Sequence, residues 1–227
     1  MAPIKRLDRV RVILTGFEPF GKHVTNPSWL SVQPLSDTTL DIPQRKETDT
    51  LRKHEATKVD IVCHELPVEY RKAPEQQEYL KTYFIHVGVG KDGQTAIETQ
   101  AHRTGYGAPD NSKWNPDSKE EPPVKKPEWA GDADKLITTV DSLALAEYLK
   151  TEKGWICEQS LDAGHYLCEY TFYLSMAERQ RRILDKLENE DDRTCLFVHL
   201  PSVGMPYALE ELQQFIKDMV VAVVSNY

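Results

Sequence analysis

Cys168 and His199 are the residues whose types and settings best fit nucleophilic catalysis. Cys168 follows an Ala-Gly turn and stands near the predicted start of a long helix, where unpaired main-chain N–H groups and the helix dipole stabilise a thiolate and a developing oxyanion. His199 ends the apolar run CLFVH, so it should emerge at a sheet edge. Because a cysteine nucleophile needs a base close in space rather than in sequence, the two predict a Cys–His pair. The alternative for Cys168 is a buried core cysteine.

A carboxylate should accept the other imidazole N–H of His199 and so orient the ring. Several acidic residues fall near the predicted strand ends, and the residues alone do not choose among them: Glu18, Glu65, Glu98, Asp110 and Asp162. Glu98 is attractive because it follows a strand's glycine-rich end by one short connection. Phe17 and Phe20 lie on the loop after the first strand, where they could plug a core or form a pocket for a flat, uncharged ring.

The elements that must position these residues alternate between strands and helices. Apolar runs predict strands at 10–15, 59–68, 83–90, 155–161 and 194–203. Helical spacing, caps and breakers predict helices at 26–35, 71–82, 132–154, 166–190 and 207–227, of which 71–82 is short for a parallel crossover. This order predicts one α/β domain over 1–227, an open, mostly parallel sheet with helices on both faces and polar surface loops at about 36–57 and 107–131. Functional groups should gather at the carboxyl ends of its strands.

Composition excludes several classes of function. A net charge of −8 argues against a nucleic-acid surface, and no apolar run is long enough to cross a bilayer. The four cysteines show no C-x-x-C pairing, which argues against a zinc site or a disulfide framework. Cys63, Cys157 and Cys195 are expected to be core thiols. Without a convincing signal or transit peptide, the expected location is cytoplasmic.

Six segments occur in the order of a known family and span residues 11–207: TGFEPFG with NPSWLSVQPL, LPVEY, HVGVG, ETQAHRTGY with DN, AGHYLCEYTFY, and FVHLPSVGMPY. On these segments the chain resembles pyroglutamyl peptidase I, the cytosolic cysteine peptidases of family C15 that remove an N-terminal 5-oxoproline. The resemblance implies a three-layer αβα sandwich of the phosphorylase/hydrolase-like type. It also implies hydrolysis through a thioacyl-enzyme, with no metal or cofactor.

The resemblance assigns roles residue by residue. It implies that Cys168 is the nucleophile, His199 the general base and acid, and Glu98 the carboxylate that orients His199. It places the pyrrolidone ring among Phe17, Phe20, Val68, Val89, Tyr166 and Leu167, with Val89 standing where bacterial members often have a substrate-contacting Gln. The expected partner is a pyroglutamyl peptide, neither nucleic acid nor a membrane is expected to bind, and the chain is expected to be a monomer or a homo-oligomer. Two alternatives stay open, an inactive relative that binds or scaffolds and a cysteine amidohydrolase of another lactam.

Overall fold

The structure is a computed structural model that describes residues 9–21, 24–43, 58–72, 83–116, 133–185 and 194–227. Within these residues the strands are β1 (Arg9–Phe17), β2 (Thr39–Asp41), β3 (Lys58–Leu66), β4 (Tyr83–Val89), β5 (Thr95–Glu98), β6 (Gln100–His102), β7 (Lys135–Ile137), β8 (Cys157–Ser160) and β9 (Thr194–Leu200). The helices are α1 (Pro27–Val32), α2 (Ser142–Thr151), α3 (Leu167–Leu184) and α4 (Leu209–Ser225), and a 3-10 turn follows α1 at Gln33–Leu35. The predicted crossover helix at 71–82 lies almost entirely outside the described residues, as do the end of the predicted helix 166–190 and much of both predicted surface loops.

The main sheet has the strand order β2-β3-β1-β4-β9-β5-β8, and β6 pairs with β7 in a separate two-stranded sheet. The four central strands β3, β1, β4 and β9 are mutually parallel, whereas β2 and β5 pair antiparallel with their neighbours β3 and β9. One core packs the sheet against α1, α2 and α4. A second core packs the other face against α3. The predicted α/β architecture with helices on both faces is confirmed.

Alternation along the strands decides which side chains reach the α3 face of the sheet. In β9, Leu196, Val198 and Leu200 point into the core under α4, whereas Cys195 and Phe197 pack in the core under α3. Successive strand residues point to opposite faces, so His199 shares the α3 face with Phe197. This two-residue period brings His199 to the helix that carries Cys168.

The predicted start of the helix at 132–154 is wrong. The predicted helix at 132–154 begins only at Ser142, because Asp141 caps it by accepting a hydrogen bond from Ala144 N at 3.0 Å. Residues 135–137 instead form β7, which pairs antiparallel with β6. Farther along, the Thr138 hydroxyl donates to Cys195 O at 2.5 Å. These bonds to distant strands hold the segment extended against its helical spacing.

The predicted loop at 36–57 contains a short edge strand, so this prediction is also wrong in part. Thr39–Asp41 pairs antiparallel with β3. Leu40 and Ile42 pack on the core under α4, and Ile42 is 6% exposed. Because two apolar residues are scattered among polar ones here, composition alone does not reveal the strand.

No helix in the described part of the chain has the length and apolarity needed to span a membrane.

Candidate active site

Cys168 is the second residue of α3, and its setting at the helix start follows from the turn before it. Gly164 (φ 93°) and His165 (φ 45°) adopt left-handed backbone conformations, and the extended Tyr166 caps the helix. The first helical hydrogen bond runs from Tyr170 N to Tyr166 O, 2.9 Å long. The amides of Leu167 and Cys168 lie ahead of that bond, where helix geometry offers them no intrahelical acceptor. These N–H groups can therefore bind an anion beside the Cys168 sulfur.

The sequence predicts that the functional groups lie at the carboxyl ends of parallel strands. Cys168 reaches the site by a different route. β8 runs parallel to β5 and hence opposite to the central strands, so its carboxyl end does not lie at their common edge. Residues 161–166 then lead from β8 to the start of α3. There the Cys168 sulfur lies beside Gly88 of β4, where a Cβ would come within 2.9 Å of it.

Two glycines of the HVGVG segment make room for the pair. Gly88 is directly opposite His199 in the β4–β9 register. At Gly90 a Cβ would lie 2.7 Å from the His199 Cβ. Real Cβ atoms do not approach this closely, so both positions accept only a hydrogen atom without movement. The sequence predicts these glycines at a strand end but does not reveal this role. A glycine inside a strand is the available signal, because it often marks close approach of another part of the chain.

Glu98 is the carboxylate that bonds the histidine. His199 Nδ1 and Glu98 Oε1 are 2.7 Å apart, and Glu98 is 1% exposed. The sequence predicts Glu98 in a loop after the glycine-rich end of a strand. In the structure Glu98 lies instead in β5, a strand that the sequence pattern does not predict. The register pairs Glu98 with Phe197 and Ala96 with His199, so Glu98 sits diagonally beside the histidine on the same face. Within the described part of the chain, the buried Glu98 Oε2 has no hydrogen-bond partner.

The electrostatics of this group favour a protonated imidazole. Burial by itself lowers the pKa of His199, but hydrogen bonds and charges from Cys168 and Glu98 raise that pKa to about 10. Since Nδ1 is engaged by Glu98, Nε2 is the ring nitrogen available to the Cys168 sulfur. A protonated imidazole beside the sulfur is the partner that activates a cysteine nucleophile.

Three of the other candidate carboxylates accept hydrogen bonds from main-chain amides, and the fourth is exposed. Glu18 accepts hydrogen bonds from Val68 N at 2.9 Å, and Asp110 accepts one from Tyr70 N at 3.0 Å. Asp162 accepts the Gly164 amide within the turn before α3, and Glu65 is exposed on β3.

A cavity of about 300 Å³ opens beside the pair, lined by Cys168, His199 and Glu98. Part of its wall is apolar and comes from Phe20, Val89, Ala163 and Tyr166. Other lining residues are polar or charged, and they include Lys91, Gln94, Glu158 and Asp162. Cys168 therefore borders a cavity whose lining is partly apolar and partly polar.

Two ring-bearing residues of that wall are fixed by neighbouring segments. The rings of Phe20 and Tyr166 have centroids 6.1 Å apart and an interplanar angle of 39°. The Tyr166 hydroxyl donates to Pro109 O at 3.1 Å, and Asn111 Nδ2 donates to Pro19 O at 3.1 Å. Residues of the predicted loop that begins at about 107 therefore help to hold Phe20 and Tyr166 in place.

Three residues predicted at the pyrrolidone ring lie in the core rather than in the cavity lining. Phe17, Val68 and Leu167 are each exposed by 2% or less and belong to the core under α3. Phe17 packs against Phe197, with ring centroids 6.3 Å apart. Their contact with a substrate stays a prediction, whereas Phe20, Val89 and Tyr166 face the cavity.

The remaining cysteines have surroundings unlike that of Cys168. Cys195 and Cys157 are buried, and Cys63 is half-buried. Burial raises the pKa of the Cys63 thiol to about 12 and that of Cys157 to about 11. Such thiols stay protonated at neutral pH and are poor nucleophiles.

The chain is similar to known proteins in sequence and in fold. The chain is 28% identical over 221 residues to Pyroglutamyl-peptidase 1 of Homo sapiens, covering 93% of this chain and 88% of that protein. It is 28% identical over 204 residues to the Pyrrolidone-carboxylate peptidase of Clavibacter michiganensis, covering 88% of this chain and 80% of that one. The fold matches the crystal structure of pyrrolidone carboxyl peptidase from Pyrococcus furiosus with a TM-score of 0.70 and 22% identity, over 96% of this chain and 99% of that chain. The family model for pyroglutamyl peptidase matches residues 10–215, and the chain therefore belongs to the pyroglutamyl peptidase family.

Proposed function

We propose that this protein is a cysteine peptidase that hydrolyses the N-terminal pyroglutamyl residue from peptides. The observation that carries the proposal is the buried His199–Glu98 hydrogen bond, with Cys168 and His199 lining the same partly apolar cavity, in a chain of the pyroglutamyl peptidase family. Cys168 acts as the nucleophile, His199 as general acid and base, and Glu98 holds the imidazole in place.

The first step forms a thioester. The Cys168 thiolate attacks the carbonyl carbon of the pyroglutamyl residue, and the carbonyl oxygen becomes an oxyanion. The Leu167 and Cys168 amides at the start of α3 are placed to donate to that oxyanion, and each well-aligned donor contributes about 3 kcal/mol. The intermediate collapses as the C–N bond breaks. His199 Nε2 gives its proton to the departing amine, and His199 becomes neutral.

The second step returns the enzyme to its starting state. Neutral His199 takes a proton from a water molecule, and the resulting hydroxide attacks the thioester carbonyl. The C–S bond breaks, and the products are free pyroglutamate, the Cys168 thiolate and a protonated His199. One water is consumed for each peptide bond cleaved. Glu98 keeps the Nδ1 proton in place throughout, so Nε2 is always the nitrogen that exchanges protons.

The apolar wall accounts for selection of a lactam ring. A pyrrolidone ring is flat and uncharged, and it can pack between Phe20 and Tyr166 without losing the hydration of a charge. A prolyl residue has the same ring size but carries an ammonium group at its ring nitrogen. Burying that charge against Phe20, Val89 and Tyr166 is costly, so the site should reject it.

Release of an aromatic amine from a pyroglutamyl anilide tests the proposal. The purified, reduced protein should hydrolyse this substrate and leave the matched prolyl anilide intact. Cys168→Ser should abolish turnover, whereas the control Cys63→Ser, which changes a half-buried thiol outside the cavity lining, should retain it. Turnover by folded Cys168→Ser would contradict the mechanism, and absence of turnover by the folded, reduced wild-type protein would contradict the function.

We also propose a cytoplasmic location, because the nucleophile must be a free thiol. Cys63, Cys157, Cys168 and Cys195 all lie in the described part of the chain, and none of them forms a disulfide bond. A reducing compartment preserves such thiols.

A further inference from the structure

Three side chains of types that commonly bind metal ions form a cluster close to Cys168. It consists of His102 at the end of β6, His165 in the turn before α3, and Glu169 in the first turn of α3. His102 Nδ1 is 2.7 Å from Glu169 Oε1, and His165 Nδ1 is 3.1 Å from Glu169 Oε2. The two imidazole centroids are 5.1 Å apart. The mechanism proposed above does not use any of these three side chains.

Glu169 is a fixed and fully buried anchor. Its exposed fraction is 0%. The main-chain N–H of His102 donates to Oε1 at 3.2 Å, and that of His165 donates to Oε2 at 3.1 Å. A carboxylate held by main-chain bonds at both oxygens keeps its orientation, and such outer bonds usually support a metal-ligating carboxylate.

The surroundings leave space and access at the histidine side of the cluster. Gly105 has φ +101°, and a Cβ at this position would lie 3.1 Å from His165 Nδ1. The missing side chain keeps the approach to that nitrogen open. The side chain of His165 is 49% exposed and that of His102 is 32% exposed. An ion can therefore enter from solvent and retain a water molecule as a further ligand.

We propose that His102, His165 and Glu169 form a binding site for a divalent cation of the zinc type. Two imidazoles and one carboxylate are a donor set that suits Zn²⁺, which binds three protein ligands and a water in its open sites. The three ligand atoms all lie within 4.8 Å of one another. Zinc–ligand bonds of about 2.0–2.1 Å separate tetrahedral ligands by roughly 3.3–3.5 Å. The two imidazole–carboxylate distances of 2.7 and 3.1 Å are slightly shorter than this separation, so small side-chain rotations suffice to admit the ion.

Binding would replace the protons on the two Nδ1 atoms and tie β6 to the first turn of α3. Metal binding releases protons from its ligands and therefore strengthens as pH rises. Glu169 directly follows Cys168, so the ion would fasten the turn that carries the nucleophile. The site is separate from the Cys168–His199 pair, to which a soft metal ion could also bind through the thiolate.

The test therefore uses the Cys168→Ser protein, which lacks the thiolate and retains the cluster. Calorimetric titration with Zn²⁺ should show one saturable equivalent, and Co²⁺ should give visible absorption bands without a thiolate charge-transfer band. His165→Ala should weaken Zn²⁺ binding by at least about 10-fold, as even outer-shell changes do. His64→Ala, a histidine on β3, should leave the affinity unchanged.

Two outcomes overturn the proposal. One is the absence of saturable Zn²⁺ binding to folded Cys168→Ser in the millimolar range, which would make the cluster a hydrogen-bonded network in which both imidazoles donate to Glu169. The other is unchanged affinity in His165→Ala, which would place the ion elsewhere on the chain. Because His165 is half exposed, its replacement should leave the fold intact, and a melting curve of each variant verifies this. Activity is not the readout, so failure here leaves the proposed peptidase function standing.

Discussion

Replacing Glu98 by Gln isolates the contribution of the carboxylate that orients His199. The change keeps the size of the side chain and removes its charge. The lost interaction is a charge-assisted hydrogen bond of 2.7 Å between two well-shielded groups. Hydrogen bonds to charged groups contribute about 1.5–3 kcal/mol, which corresponds to about a 10- to 150-fold fall in kcat/KM. The Gln amide can also donate to Nδ1, which moves the proton to Nε2 and adds to the loss.

The pH profile of the same variant provides an independent readout. Loss of the anion should move the high-pH limb of kcat/KM to lower pH, because Glu98 is one of the groups that raise the pKa of His199. His199→Ala should lose more activity than Glu98→Gln, since it removes the proton carrier itself. The matched control is Asp162→Asn, which changes an exposed carboxylate of the same cavity.

The assay is hydrolysis of a pyroglutamyl anilide by purified variants with wild-type melting curves. The role of Glu98 in orienting His199 is refuted if Glu98→Gln keeps nearly full activity with an unshifted pH profile. It is also refuted if Glu98→Gln loses more activity than His199→Ala, or if Asp162→Asn loses as much as Glu98→Gln.

Three further predictions concern the same site. Phe20→Ala removes a half-buried ring from the apolar wall and should lower kcat/KM for the pyroglutamyl anilide by about 10-fold relative to the wild type. An unchanged kcat/KM would show that Phe20 does not contact the substrate ring. Gly88→Ala would place a Cβ 2.9 Å from the Cys168 sulfur and 2.9 Å from Phe197 Cζ, so it should cost about 1–3 kcal/mol of stability and displace the nucleophile, and wild-type kinetics in this variant would contradict the packing. For His199, burial lowers the pKa and the bonds to Cys168 and Glu98 raise it to about 10, so kcat/KM should fall as pH rises through about 10. The stability that the His199 proton contributes should be fully present below the ordinary pKa of 6.5 and lost as pH rises through about 10. Melting temperatures that do not fall over this range would refute a protonated His199.

The sequence by itself determined the features that depend on local pattern. The apolar run at 194–203 predicts a buried strand that carries His199 near its carboxyl end, and the Ala-Gly turn before a long helical stretch predicts a helix that starts near Cys168. Asn26 and Pro27 predict the start of α1, where Asn26 Oδ1 accepts the Ser28 N–H at 3.0 Å. These predictions are confirmed because each depends on neighbours within one or two turns of chain.

Only the tertiary structure decided which carboxylate meets the histidine and which aromatic side chain faces the cavity. Glu98 and His199 are 101 residues apart, and the antiparallel pairing of β5 with β9 brings them together. Phe17 and Phe20 are three residues apart, yet Phe17 is in the core and Phe20 is at the cavity. Strand pairing and burial depend on contacts between segments far apart in the chain. The spacing of residues within one segment does not specify those contacts.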